Sequence, residues 1–258
     1  MGLKMNKSEI LDVFYNQISK DYGCSLEDIK SNENIVINKT LEEGRRLFHS
    51  DDYLIKVISL NGKSIFSVDN SITNEEIDTL KGLSAPWINM YPDSKALNDI
   101  ADRYDCHVCH EHHFYLPLGK EIFEKSDIQE LSSDLDIKCF EGDSINGFKG
   151  DSRFTNALSF KSSAPDMLCL VAFNNGEIVA MAGASADSEL MWQIGIDVLP
   201  KARGKNIGPI LTILLKNKIL EMGKVPFYGT AESHIQSQKV AVKSGFMPAW
   251  YEAYVYKN

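Results

Sequence analysis

The sequence predicts a mixed α/β (α+β) protein in two parts. Three observations predict it. Asn-Gly pairs at 61–62 and 175–176 each stand between apolar runs, the strongest short signal for a β-hairpin. The stretch "IDVLPKARGKNIG", residues 196–208, passes from a strand pattern straight into the mouth of a helix. A polar, serine-containing connector at about 119–135 separates the halves. We therefore expect an N-terminal α/β domain over 1–125 and a second domain over 135–258. A chain of 258 residues is long enough for a substantial core in either arrangement.

The elements follow in order. Ile10, Leu11, Phe14 and Ile18 recur at helical spacing behind Ser8 as a cap, with Gly23 as the stop. "LIKVISLNGKSIFSV" (54–68) is the first hairpin. "TNEE" (73–76) is a capping box opening a short helix with Ile77 and Leu80. "PWINMYPDS" reads as a loop by its prolines, Ala96 to Tyr104 as a helix, and "CHVCHEHHFYLPL" as extended. In the second half "MLCLVAFNNGEIVAMAGA" is the other hairpin, and "LMWQIGIDV" is a strand covered on both faces. Ile207, Ile210, Leu211, Leu214 and Leu215 form a helical stripe that Gly223 ends. "VPFYGTA" is a strand, "SHIQ" (233–236) a capping box, Gly245 a helix stop in the C′ position, and "MPAWYEAYVYK" the last strand.

Composition narrows the function classes. The net charge is −9, with a pI near 5.2, which argues against a general affinity for nucleic-acid phosphates and suits a small cationic substrate. No apolar run approaches the ~20 residues of a membrane span, and the N-terminus lacks the apolar core of a signal peptide. "MGLKMN" opens like a myristoylation site but has Asn6 where Ser or Thr is wanted, and Met5 is a second candidate start. Five cysteines, an odd count, argue against a disulfide scaffold. The expectation is a cytoplasmic, reduced protein. Lys outnumbers Arg 22 to 5, which points to an AT-rich bacterial genome.

The junction at 196–208 carries the most chemistry. A helix N-terminus presents unpaired N–H groups with the positive end of the dipole behind them, a ready site for phosphate oxygens. Gly204 and Gly208 let backbone approach closely. Pro209 has no N–H and suits the first turn, so the free donors are those of Lys205, Asn206, Ile207 and Gly208. Arg203 and Lys205 add positive charge. The plainer reading is a glycine-bearing turn with two solvated basic side chains, since neither G-x-x-x-x-G-K-[ST] nor G-x-G-x-x-G is present.

From Val198 onward, "VLPKARGKNIG" resembles the cofactor motif V-x-P-x-x-R-G-x-G-x-G/A of the GNAT N-acetyltransferase superfamily. "HIQSQKVAVKSGF" (234–246) is similar to that family's N-x-x-S-x-x-x-A-x-x-x-G-F helix and following strand. The resemblance covers about residues 135–258. It implies a mixed, mostly antiparallel sheet flanked by helices, and acetyl-CoA as donor, with no metal expected. By position it implies that Arg203 to Gly208 cradle the pyrophosphate, and that the edge Ile196, Asp197, Val198 pairs with the pantetheine arm. His234 and Ser237 stand at the family's Asn and Ser beside that arm, which implies that both contact the cofactor. Asn206 replaces a usual Gly, and Asn is the next most tolerant of left-handed backbone. Ala241 stands where many members carry the Tyr that protonates the leaving thiolate.

The implied reaction is N-acetylation of a primary amine on a small-molecule acceptor, by direct attack in a ternary complex; the alternative is a non-catalytic CoA-binding or regulatory module. An amine must lose a proton, then attack a thioester whose oxyanion a strand N–H stabilises. Glu232, at the end of the strand before the last helix, and Asp197, next to the pantetheine-binding edge, are the candidate bases, each with a solvated or capping carboxylate as the plainer reading. Tyr251 is a candidate acid. "CHVCHEHH" has ligand-like C-x-x-C and H-x-H spacings, but Cys106 and Cys109 diverge in an extended strand and nothing closes a four-ligand set. The N-terminal half has no copy of the phosphate loop. Its Asn-Gly hairpin and capped helix suggest a degenerate relative of the same fold that shapes the acceptor side or forms a homodimer contact.

Overall fold

The computed structural model describes residues 5–47 and 50–257; Met1–Lys4, the core of the myristoylation-like opening, lie outside them. The protein is mixed α/β, with mostly antiparallel sheet flanked by helices. It divides into two compact units, residues 1–13 with 115–248, and residues 14–114 with 249–258. This differs from a single cut at 125–135. The last ten residues group with the N-terminal half because the final strand pairs there.

The opening helix, α1 (Lys7–Tyr22), is capped by Asn6 rather than Ser8: Asn6 Oδ1 accepts from the N–H groups of Ser8 and Glu9, and Glu9 returns a bond to Asn6 N–H. Next come α2 (Leu26–Lys30) and β1 (Ile35–Asn38), neither of which the sequence pattern revealed. Four residues are too few to display a period. The Asn61-Gly62 turn joins β2 (Tyr53–Leu60) to β3 (Lys63–Val68), with antiparallel register from Leu60↔Lys63 to Ile55↔Val68. Thr73 caps α3 (Asn74–Gly82) through the full box with Glu76. The proline-rich loop contains one 3₁₀ turn and gives way early to α4 (Asp93–Asp102), before β4 (Cys106–Leu116). In this unit β1 lies parallel to β3, and β2 pairs antiparallel with the terminal strand from Ser59↔Tyr251 to Tyr53↔Tyr256. Its core collects Ile55, Val57, Phe66, Leu80, Ile100 and Val255.

In the other unit, the polar connector at 119–135 holds a helix, α5 (Lys125–Ser133), started by a Glu124–Asp127 box. Then β5 (Asp136–Glu141), β6 (Asp166–Asn174), β7 (Glu177–Ala186) and β8 (Met191–Val198) form an antiparallel run. The helix α6 (Ile207–Glu221) crosses over to β9 (Val225–Ala231), parallel to β8, and α7 (Ile235–Lys243) leads to β10 (Met247–Lys257). The expected one-sided stripe on α6 is broader in fact. Burial extends to Thr212, Ile213 and Lys216, so the helix is covered on most sides. Thr212 bonds the Gly208 carbonyl, and the Lys216 ammonium reaches the Ser244 carbonyl at 2.6 Å and Glu121 at 2.7 Å, which satisfies both polar groups.

All five cysteines are free thiols. Among the described residues no group of three or more His, Cys, Asp or Glu is placed to hold a metal ion. Cys106 is buried while Cys109 is half-buried, and His110 takes a left-handed φ of 55° within β4. No described helix is long and apolar enough to cross a membrane.

Burial also sets an alkaline limit on stability. It pushes the phenols of Tyr22 and Tyr254 well above their ordinary value, with Glu252 adding to both shifts. Such groups stay neutral in the fold while the unfolded chain ionises near pH 10. Stability is therefore fully present below about pH 10 and is lost as pH rises above it. Ultraviolet titration is expected to show these two phenols ionising together with unfolding. Reversible ionisation in a folded protein near pH 10 is the contrary result.

Candidate functional site

The sheet of the unit holding residues 115–248 opens on one side. β8 pairs with β7 along Trp192–Val198, but with β9 only from Met191↔Val225 to Ile194↔Tyr228. Beyond that pair the two parallel strands part. Gly195, Ile196, Asp197 and Val198 are left with one open edge, roughly 13 Å at about 3.3 Å per residue. A groove of about 550 Å³ lies there. Its lining includes Ile196, Asp197, Val198, Arg203, Gly204, Asn206, Ile207, Gly208, His234 and Ser237. Lys205 faces a separate hollow of about 620 Å³ lined also by Glu177, Lys201 and Asn174.

The loop into α6 owes its shape to two residues. Gly204 has φ +80° with open space around it, and Asn206 is left-handed at φ 58°, ψ 14°. Asn at this position serves the turn that Gly would otherwise make, because its short polar side chain tolerates that conformation. Asn206 makes no side-chain cap bond to α6; instead its Oδ1 accepts from Lys243 at 3.1 Å. The first-turn amides are thus not spent on that cap, and Ile207 and Gly208, which carry two of them, line the groove with the helix dipole behind them. Arg203 is held to the end of β8, its Nε donating to the Val198 carbonyl at 3.0 Å. Lys239 and Lys243, one turn apart on α7, also line the groove. The set suits an anion.

Asp197 has a positioning task. Its carboxylate accepts from the N–H groups of Asn156 and Ala157 at 2.8 and 2.9 Å, and from Asn156 Nδ2 at 2.6 Å. Glycines make room for this segment: a Cβ on Gly195 would collide with the Asn156 carbonyl, and one on Gly183 with that of Ala157. Both oxygens of Asp197 are therefore engaged. Glu232 follows β9 on the strand that diverges, exposed, with its backbone carbonyl accepting from Gln238 Nε2 at 2.6 Å. Tyr251 belongs to the other unit, where it is buried and its hydroxyl donates to Glu111 at 2.8 Å. Ala241 is fully buried in the core under α6.

The "SHIQ" box does not form. α7 starts at Ile235 behind His234, which makes no side-chain cap bond and leaves its exposed ring at the groove. At the other end Gly245 closes the helix as expected, with Phe246 N–H bonding the Ala241 carbonyl at 3.0 Å. The polar lining residues Asn156, Tyr228, Gln236, Lys239 and Lys243 escaped the sequence reading. The i, i+4 spacing of the two lysines was a usable signal. Tyr228 read only as one apolar position in a strand.

The Acetyltransferase (GNAT) family model matches residues 134–246. No curated protein matches the chain significantly. Among solved structures, the chain is similar to a GCN5-related N-acetyltransferase-like protein from Streptococcus suis 89/1591, at 14% identity and TM-score 0.47, over 77% of this chain and 82% of that one. A GNAT-family acetyltransferase from Colwellia psychrerythraea shares 10% identity at TM-score 0.43, over 98% of each chain. A Drosophila protein shares 12% identity at TM-score 0.44, over 98% of this chain and 90% of that one. The family match spans the open-edged strand, the loop and the helices that build the groove. Residues 134–246 of this chain are a GNAT acetyltransferase domain.

Proposed function

We propose that this domain binds acetyl-CoA in the groove and transfers the acetyl group to a primary amine of a small-molecule acceptor, by direct attack in a ternary complex. The observation that carries this reading is the open edge of β8 leading to an anion-suited helix N-terminus. An extended arm pairs with Ile196–Val198 as an added strand does, and its pyrophosphate meets the amides at the start of α6 and the cations that line the groove, Arg203, Lys239 and Lys243. Glu232 takes the amine proton. Asp197 ranks behind it because its oxygens hold Asn156 and Ala157. The net charge of −9 favours a cationic acceptor.

Gly208 tests the groove. A Cβ there comes within 3.3 Å of Val198 Cγ2 and 3.7 Å of Val240 Cγ2, tight contact between strand and helix. Gly208→Asp adds a carboxylate where phosphate oxygens approach. Its acetyl-CoA affinity, by calorimetry, is expected to fall at least about tenfold, about 1.4 kcal/mol, with the circular dichroism spectrum retained. Gly208→Ala carries the crowding without the charge and is expected to lose less. Unchanged affinity in Gly208→Asp removes the cofactor assignment.

A further inference from the structure

The groove holds a pair of hydroxyls, one on Ser237, which the motif resemblance sets beside the arm, and one on Tyr228, to which it assigns no role. Tyr228 Oη lies 2.9 Å from Ser237 Oγ, and both residues line the groove. Tyr228 is the last residue of β9 paired with β8, opposite Ile194, so it stands where the two strands part. The phosphate end of an arm on the open edge lies at Val198 and the loop beyond. Its far end then reaches back along β8 toward Gly195, beside this pair. One turn beyond Ser237, α7 offers only the buried methyl of Ala241.

The direction of the hydrogen bond follows from burial. Tyr228 is 2% exposed, and among the described residues Ser237 Oγ is the acceptor within its reach. A buried phenol whose proton had no acceptor would forfeit its hydrogen bond, so Tyr228 donates to Ser237. The serine proton is then free to turn toward the groove.

We infer that Ser237 donates a hydrogen bond to the sulphur of the leaving thiolate, and that Tyr228 is the positioning residue that polarises and aims it. This rests on the acyl-transfer reading of the groove. In the step, the amine nitrogen forms a bond to the thioester carbon, the C–S bond breaks, and its electron pair stays on sulphur. The amine's proton leaves to the base. The thiolate accepts the Ser237 hydrogen bond and takes up a proton from water on release, so both hydroxyls keep their own protons. Burial, opposed by the Ser237 bond and helped by Asp197, pushes the Tyr228 phenol up to about 12, so it remains a donor throughout the neutral range.

The thiol of bound CoA reports the interaction without any acceptor. Its ionisation is followed by thiolate ultraviolet absorbance, as the difference with and without CoA, in the wild-type protein, Tyr228→Phe, Ser237→Ala and the double variant. The expected result is an ionisation constant about tenfold smaller in each single variant, as for loss of a hydrogen bond to a charged atom. The double variant is expected to be no worse than Ser237→Ala, because the two act as one unit. The dissociation constant of CoA is measured in each variant at neutral pH, where the thiol is mostly protonated, so that a weaker grip on the arm is separated from a changed ionisation. Equal ionisation in wild type and variants that all bind CoA overturns the pair and leaves the acyl-transfer reading standing. Additive effects in the double variant overturn the relay through Tyr228. If Tyr228→Phe fails to fold, Ser237→Ala, half-buried at the groove, decides alone. Failure of the wild-type protein to bind CoA overturns the groove reading and this inference together.

Discussion

Arg46→Met is expected to destabilise the unit of residues 14–114 and 249–258 by about 3–5 kcal/mol, the usual cost of stripping one partner from a buried ion pair. The guanidinium lies between two carboxylates. Its Nε is 2.5 Å from Asp21 Oδ2 and its Nη2 is 2.9 Å from Glu252 Oε1, with side-chain exposures of 5%, 0% and 1%. Asp21 also accepts from the Arg46 N–H at 2.7 Å and Gln17 Nε2 at 2.8 Å, and Tyr22 hydroxyl donates to Glu252 at 3.3 Å. Lys56, its ammonium 4.4 Å from the Tyr22 ring centre, supplies the second buried cation. Two acids and two bases therefore balance. Removing Arg46 leaves a net negative charge in a medium that solvates it poorly. Methionine fills much of the arginine stem, so the loss reports charge rather than volume. Urea unfolding monitored by circular dichroism measures it, and Arg46→Met combined with Asp21→Asn is expected to recover part of the loss. A single variant within about 1 kcal/mol of wild type would show that the network is solvated rather than buried.

Glu232→Gln is expected to lower kcat by roughly 10²-fold or more, the lower range for general-base catalysis. An alkyl amine titrates near 10.4 and is mostly ammonium at neutral pH, so attack needs a proton acceptor beside the thioester. Glutamine keeps the size and the hydrogen bonding but cannot take the proton. The Gln238 bond to the Glu232 carbonyl is a main-chain contact that the substitution preserves. Acetyl-CoA affinity is therefore expected to be unchanged. The rate is expected to recover in part as pH rises, since more of the amine arrives already neutral. Steady-state kinetics across about pH 6 to 9 are the measurement. Wild-type turnover throughout would pass the role to Asp197 or to a water chain.

The sequence by itself determined whatever local chemistry decides. Asn-Gly between apolar runs makes a hairpin because those residues accept the left-handed turn, and both hairpins are present. A strand delivering its chain into an unfilled helix N-terminus is legible at 196–208 because glycine, proline and the basic side chains all lie within one short window. The Gly245 helix stop is local in the same way.

Only the tertiary structure decided the rest. Asp197 could be named from its place on the edge, but its engagement depends on Asn156 and Ala157, some forty residues earlier in the chain. Nothing in "VPFYGTA" says that β9 leaves β8 after Tyr228, or that this phenol meets a serine on the next helix. The Arg46 network joins Asp21 to Glu252 from opposite ends of the chain, and the terminal strand groups with the N-terminal half for the same reason. Pairing between distant segments leaves no period and no spacing in the sequence. It is set by which buried polar groups and strand edges find partners once the chain has closed, and that is where the groove acquired its shape.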